Sequence, residues 1–198
     1  MTFRHTGRGH LALLAGLVLA ASLYGSSTTT RARPPCSDGV PTPASFAALN
    51  YPDRYIRHEH WRGYLTPPGD ESQLARADST FWIEPGATCR PGIPSVVLRA
   101  VNYPKKFLKH RDAGIELTEG QGAEASFEII PGLAGQCVSF RSVDDPTRFL
   151  RHRNFVLVLE PDDGSELFRE DATFCQRPSR AAVVPRAPAR KSLKPRSV

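Results

Sequence analysis

Several things that chemistry needs are missing from this chain. It has no Cys-x-x-Cys pair and no Cys/His cluster at zinc-ligand spacing, which removes the common structural zinc sites. It has no Gly-x-Ser-x-Gly elbow and no phosphate-cradling Gly-rich loop, which removes the usual serine hydrolase and nucleotide-binding signatures. No stretch repeats apolar residues with a long helical period between caps, so long amphipathic helices are not expected. The longest apolar run, Leu11 to Leu23, is too short to favour a membrane span. Acid is missing from both ends. Met1 to Pro35 carries four Arg and no Asp or Glu, and Pro178 to Val198 carries six basic residues and again no acid. The formal charge of +6 therefore belongs to the ends, and Cys36 to Arg177 holds 16 basic against 20 acidic residues, a net of −4. That body has no cationic face for nucleic acid.

What is present is a repeat. Asn50-Tyr-Pro-Asp-Arg-Tyr-Ile-Arg-His58 returns as Asn102-Tyr-Pro-Lys-Lys-Phe-Leu-Lys-His110 and as Asp144-Asp-Pro-Thr-Arg-Phe-Leu-Arg-His152. The copies begin 52 and then 42 residues apart. A second motif follows each one: Asp78-Ser-Thr-Phe81, Glu124-Ala-Ser-Phe127 and Asp171-Ala-Thr-Phe174. Two linked motifs in the same order, three times over, decide the architecture before any residue is weighed. Within each copy the signals are short strands and turns. Val96 to Val101 and Cys137 to Ser142 are β-rich, and each runs into an x-Pro turn. Phe149-Leu-Arg-His152 and Phe155-Val-Leu-Val-Leu-Glu160 have the look of two hairpin arms, with a turn at Asp162-Asp-Gly164. Four strands per copy give about twelve, and the expectation is an all-β chain, a β-trefoil: a six-stranded barrel closed by three hairpins. Closure leaves no open sheet edge, which suits a monomer.

The flanks read differently from the body. Arg4 and Arg8 followed by the apolar run form a secretory signal, and residues 1–35 are expected to be signal and leader. An uncleaved anchor is the alternative. Residues 36–177 make the domain. Residues 178–198 are Pro-, Arg- and Ala-rich and are expected to be a disordered basic tail. Four cysteines in an exported chain imply two disulfides with three connectivities. Because a closed barrel joins its first and last strands, Cys36–Cys175 is favoured, which leaves Cys89–Cys137.

The strings NYPDRYIRH, VSFRSVDDPTRFLRHRNFVLVLEPDDGS and FREDATF resemble the arabinose-binding domain of α-L-arabinofuranosidase B, carbohydrate-binding module family 42. The resemblance runs from about Ser45 to Arg177. It implies a β-trefoil that binds arabinofuranose side chains of arabinoxylan, arabinan and related hemicelluloses in up to three shallow pockets. It also implies that a His and an Asp at these motif positions contribute to each pocket, and that such a domain usually accompanies a glycoside hydrolase domain.

The residue types suit a small neutral pentose. A carboxylate accepts from two hydroxyls at once, a His nitrogen donates or accepts, and an aromatic plane covers a C–H face. The candidate ligand-binding residues are His152, Asp171, Phe155 and Asn154 in the third repeat, and His58, Asp78 and Trp61 in the first. The second offers His110 and Glu124, with Ala113 where the others carry an aromatic, so it is expected to be weakest. His60, Asp112 and Asn154 share one position that can tune each pocket. Against this stands a structural role, in which each His–Asp couple merely locks its hairpin. Arg57, Lys109 and Arg151 read as solvated strand positions. Asn50, Asn102 and Asp144 read as a turn device, and Tyr55, Phe107, Phe149, Phe81, Phe127 and Phe174 as packing. No cofactor, metal or catalytic residue is expected. The partner is arabinose-containing polysaccharide, with no nucleic acid and no membrane beyond the export signal. A secreted adhesin or inhibitor without sugar binding is the second reading, and arabinofuranosidase activity by the chain itself the third.

Overall fold

The structure is a computed structural model and describes residues 39–183. The signal and leader, Cys36 and the tail beyond residue 183 lie outside the described residues. Among the described residues twelve strands form one sheet, in agreement with the count expected from the repeats. The first repeat holds β1 (Thr42–Ala48), β2 (Ile56–Glu59), β3 (Arg62–Leu65), helix α1 (Gln73–Asp78) and β4 (Phe81–Pro85). The second holds β5 (Val96–Ala100), β6 (Lys106–Arg111), β7 (Gly114–Glu119), a single 3-10 turn (Ala123–Ala125) and β8 (Phe127–Pro131). The third holds β9 (Val138–Ser142), β10 (Arg148–Arg153), β11 (Val156–Pro161), helix α2 (Glu166–Asp171) and β12 (Phe174–Pro178).

Strand pairing closes a ring. β1 pairs β4 and β12, β4 pairs β5, β5 pairs β8, β8 pairs β9, and β9 pairs β12, all antiparallel. The other six strands are three hairpins, β2–β3, β6–β7 and β10–β11. Their inner arms pair with one another through Arg62↔Glu116, Val158↔Gly114 and Val156↔Tyr64. The result is an all-β, barrel-like closed sheet with three hairpins across one end.

The repeated motif explains the core. Its apolar seventh residue places Ile56, Leu108 and Leu150 inside, and the next hairpin arm adds Leu65, Leu117 and Leu159. The Asp-x-x-Phe motif adds Phe81, Phe127 and Phe174, each essentially inaccessible, as the sequence led one to expect. Burial of this many large side chains is the main favourable term in folding. Where the three inner arms meet, the equivalent residues are Gly63, Ile115 and Leu157. A Cβ on Gly63 would lie 2.9 Å from both Ile115 and Leu157, so one copy must be glycine for the other two to fit. Phe107 is buried, and Phe149 packs edge-on against Phe168, which agrees with their reading as packing.

Two expectations need correcting. The disulfide is Cys137–Cys175, with Cα atoms 4.8 Å apart, not Cys36–Cys175 with Cys89–Cys137. β1 and β12 do pair, but the register sets Cys175 opposite Ala47. Phe174 pairs Val138, which brings Cys175 beside Cys137 instead. Cys89 is also disulfide-bonded.

No long helix is present among the described residues, as expected. Two six-residue helices end on the repeated Asp, each capped by a serine: Ser72 Oγ accepts from Ala75 N–H, and Ser165 Oγ from Phe168 N–H. They are too short to leave a period-3.6 signal. None of the described helices is long and apolar enough to cross a membrane.

The second correction concerns the boundary at Arg177, since residues 178–183 still pack on the domain. Arg180 N–H donates to Ser45 Oγ (3.2 Å) and Ala181 N–H to Thr80 Oγ1 (3.0 Å). The Arg180 guanidinium lies 4.4 Å from the Tyr55 ring centre and donates to Ser79 Oγ and the Asp70 carbonyl. Residues 133 and 134 make the matching bonds at the next seam, Leu133 N–H to Ser139 Oγ and Ala134 N–H to Thr173 Oγ1.

Candidate functional site

The repeated His is the last residue but one of each hairpin's first arm, and α1 and α2 each end on the repeated Asp. In the first repeat these two converge. His58 and Asp78 are both about 95% buried, and His58 Nε2 lies 3.6 Å from Asp78 Oδ1. The link between them comes from the next repeat. Asn102 Nδ2 donates to Asp78 Oδ1 at 2.8 Å, and Asn102 Oδ1 sits 3.0 Å from His58 Nε2. A carboxylate can only accept, so the amide must face it with N–H; Oδ1 then faces His58, and Nε2 is the donor. The other carboxylate oxygen takes the Arg57 guanidinium at 3.1 Å. The run is Arg57–Asp78–Asn102–His58.

The third repeat reproduces this with partners from the first. Asn50 Nδ2 donates to Asp171 Oδ1 at 2.8 Å, and His152 Nε2 donates to Asn50 Oδ1 at 2.9 Å. Arg151 Nη2 bonds Asp171 Oδ2 at 2.5 Å, and His152 Nε2 lies 3.2 Å from Asp171 Oδ1. Burial pushes both imidazoles below the usual histidine range, more strongly than Asp78 and Asp171 pull them up. Both histidines are therefore neutral at pH 7.

Two sequence expectations fail here. Arg57 and Arg151 are not solvated: they are 4% and 7% exposed and ion-paired to the site carboxylates. Lys109, half-buried, pairs Glu124 at 2.8 Å. Asn50 and Asn102 are not turn devices but bridges between repeats. Burying a guanidinium costs solvation unless it is paired, and the signal available was that a basic residue precedes the repeated His in all three copies.

The walls are aromatic. The hairpin tips are two-residue loops, and in the first and third repeats both residues are left-handed: His60 (φ 47°) and Trp61 (φ 64°), Asn154 (φ 52°) and Phe155 (φ 65°). This is the turn that matches strand twist, but it normally takes Asn and Gly. A Trp or Phe there carries strain of order 1–3 kcal/mol, a cost found mostly at functional positions. Trp61 is 50% exposed; Tyr103 stands edge-on to it and Lys106 Nζ lies 4.3 Å from its ring. A pocket of about 350 Å³ opens here, lined by His58, Asp78, Trp61, Tyr103, His60 and Leu74 with Arg57 and Glu59. In the third repeat Phe155 is half-buried and stacked parallel to His152, with Tyr51 edge-on and Arg54 4.0 Å from the ring centre. Asn154 is exposed at the turn.

The second repeat departs at every one of these places. Asp144 replaces the bridging Asn, and an acid cannot donate to Glu124. His110 Nε2 instead lies 3.3 Å from Asp144 Oδ2, and Glu124 turns to Lys109, whose hydrogen bond holds it below the usual carboxylate range. Asp145 stands where the others have Tyr51 and Tyr103, and Ala113 where they have Phe155 and Trp61. Of the tip pair, Asp112 is left-handed (φ 55°). Arg148 donates to the Asp112 carbonyl at 3.2 Å. Because each site is built across two repeats, the odd residues of the third motif and those of the second repeat fall in one place. No group of His, Cys, Asp and Glu among the described residues could hold a metal ion.

Comparison with known proteins gives a family from the sequence and a shared fold from solved structures. The family model described as the alpha-L-arabinofuranosidase B (ABFB) domain matches residues 38–128 and 117–186. An extracellular exo-α-(1→5)-L-arabinofuranosidase of Streptomyces avermitilis is 37% identical over 119 residues, which is 56% of this chain and 25% of that protein. A crystal structure of arabinofuranosidase complexed with arabinofuranosyl-α-1,2-xylobiose shares the fold at TM-score 0.63 and 21% identity, over 74% of this chain and 33% of that one. The cytolethal distending toxin of Actinobacillus actinomycetemcomitans shares it at TM-score 0.56 and 15% identity, over 72% of this chain and 94% of that one. The chain thus spans about a quarter of the curated relative and a third of the solved arabinofuranosidase. With matches over both halves of the repeat region, the chain belongs to the α-L-arabinofuranosidase B (ABFB) domain family.

Proposed function

We propose that this protein is a secreted carbohydrate-binding module, a β-trefoil of three repeats that holds arabinofuranose side chains of hemicellulose. The observation that carries the reading is the first-repeat pocket. Its floor is a carboxylate and a neutral imidazole locked by Asn102 and Arg57, and its wall is a strained, half-exposed Trp61. About 350 Å³ is the lower end of small-ligand sites, the size for one monosaccharide with its linkage emerging. A fixed carboxylate accepts from vicinal hydroxyls, and the ring face covers C–H groups. The third repeat carries the same residue types, His152, Asp171 and Phe155, in the same bridged arrangement, and the reading extends to it as another site. The second, with an acid for the bridging Asn and no aromatic wall, is the weak member. Two pockets on one polymer gain avidity through effective concentration. The extracellular relative and the Cys137–Cys175 disulfide support export.

Binding is favoured over hydrolysis because bond cleavage needs one carboxyl group free to protonate the leaving oxygen. In the first pocket Arg57 engages both acidic side chains, Glu59 and Asp78. The test is retention on insoluble arabinoxylan against the same xylan stripped of arabinose, with release of arabinose measured in parallel. Equal retention on both supports would reject the sugar assignment, and arabinose release would restore the enzyme reading.

A further inference from the structure

Two leucines have no structural reason to be where they are. Leu74 on α1 is 64% exposed and Leu167 on α2 is 62% exposed. A single exposed leucine needs no explanation. These two occupy the same place: each is the second residue of a six-residue helix behind a serine cap, four residues before the site carboxylate. A spacing of four on a helix puts two side chains on one face, one above the other. Leu74 accordingly lines the pocket that Asp78 floors, together with Trp61 and Tyr103. The second repeat, whose helix is cut to the turn Ala123–Ala125, has no such residue. It is also the repeat without the aromatic wall. Leucine and aromatic are thus present together twice and absent together once.

We infer that Leu74 is a ligand-contacting wall of the first pocket, and that Leu167, at the equivalent helix position, plays the same part at the third-repeat site. This rests on the sugar-binding reading above and names a contact within it. Each leucine takes the non-polar edge of the bound unit, the C–H groups of the furanose or of the sugar it is linked to. The polar edge faces the carboxylate. An apolar wall above a charged floor makes the pocket sided. It admits a neutral pentose in one orientation and disfavours a sugar that carries a carboxylate on that edge, since desolvating the charge there gains no partner.

The measurement is titration of the full chain with arabinofuranosyl-substituted xylobiose and with methyl α-L-arabinofuranoside. Trp61 emission reports the first pocket, Trp82 being buried in β4. Leu74→Ala is expected to weaken the titration about fivefold (~1 kcal/mol). Leu74→Met should stay within about twofold of the parent, and Leu74→Asp should abolish the response. Loss on both ligands places the contact on the furanose; loss on the xylobiose derivative alone places it on the linked sugar. Melting temperatures should stay within about 1–2 °C, as for other exposed positions. Leu167→Ala should lower the calorimetric affinity of the remaining site while leaving the Trp61 titration unchanged. Parent-like binding by Leu74→Ala overturns the inference, and so does a melting temperature several degrees lower, which would make the leucine structural. If the parent chain responds to neither ligand, the sugar-binding reading itself is lost.

Discussion

Asn102→Leu tests the central geometric claim, because it removes a bridge while keeping side-chain volume. Asn102 makes two hydrogen bonds, to Asp78 Oδ1 at 2.8 Å and from His58 at 3.0 Å. A bond to a charged group contributes about 1.5–3 kcal/mol and a neutral one about 0.5–1.5. Part of this returns, since His58 Nε2 already lies 3.6 Å from Asp78 Oδ1 and can close that gap. The net expectation is a loss of about 2–3 kcal/mol, or a melting temperature lower by about 6–9 °C for a domain of this size. Binding should fail at the first-repeat pocket, although Asn102 belongs to the second repeat. Asn50→Leu should do the same to the third-repeat pocket and leave the Trp61 titration intact. The assays are thermal unfolding by circular dichroism and the Trp61 titration. A melting temperature within about 2 °C of the parent, or damage confined to the second-repeat pocket, would refute the cross-repeat network.

Three further outcomes follow from the same structure. His58 and His152 are held below their unfolded pKa, so the unfolded chain binds more protons as the medium is acidified. Their stabilising contribution is complete above about pH 6.5 and is lost as pH falls below it; melting curves between pH 7.5 and 5 should show this, and His58→Gln with His152→Gln should flatten it. Cys137→Ser opens a bridge with a sequence separation of 38 and is expected to cost about 2–4 kcal/mol in denaturant melts. Trp61→Gly should abolish first-pocket binding in calorimetry without lowering the melting temperature, because the turn it relieves prefers glycine.

The sequence carried the architecture because the repeat unit is itself the packing unit. Ile56, Leu108 and Leu150 stand at one step of the motif and at one layer of the core, so finding the motif finds the layer. The His and acid were legible for the same reason. The bridging Asn was not, because it lies in one copy of the motif and serves the site of the copy before it. Spacing along the chain says nothing of that offset; only the way the hairpins mesh shows it. Arg57 and Arg151 were misjudged since an alternating strand position looks solvated until a carboxylate from a distant helix is placed against it. The disulfide was missed by register: the correct strands pair, but Cys36 precedes β1 and Cys175 meets Ala47.

The Asn50 bridge reaches a residue 121 positions away in sequence. The network is therefore owned jointly, and no single repeat carries a whole one. A lone repeat cut from this chain would keep the His and acid of one site and the bridging residue of another. Each seam draws on its own pair of repeats, so the second repeat can differ at Glu124 and Asp144 while the Asn50 and Asn102 networks stay intact.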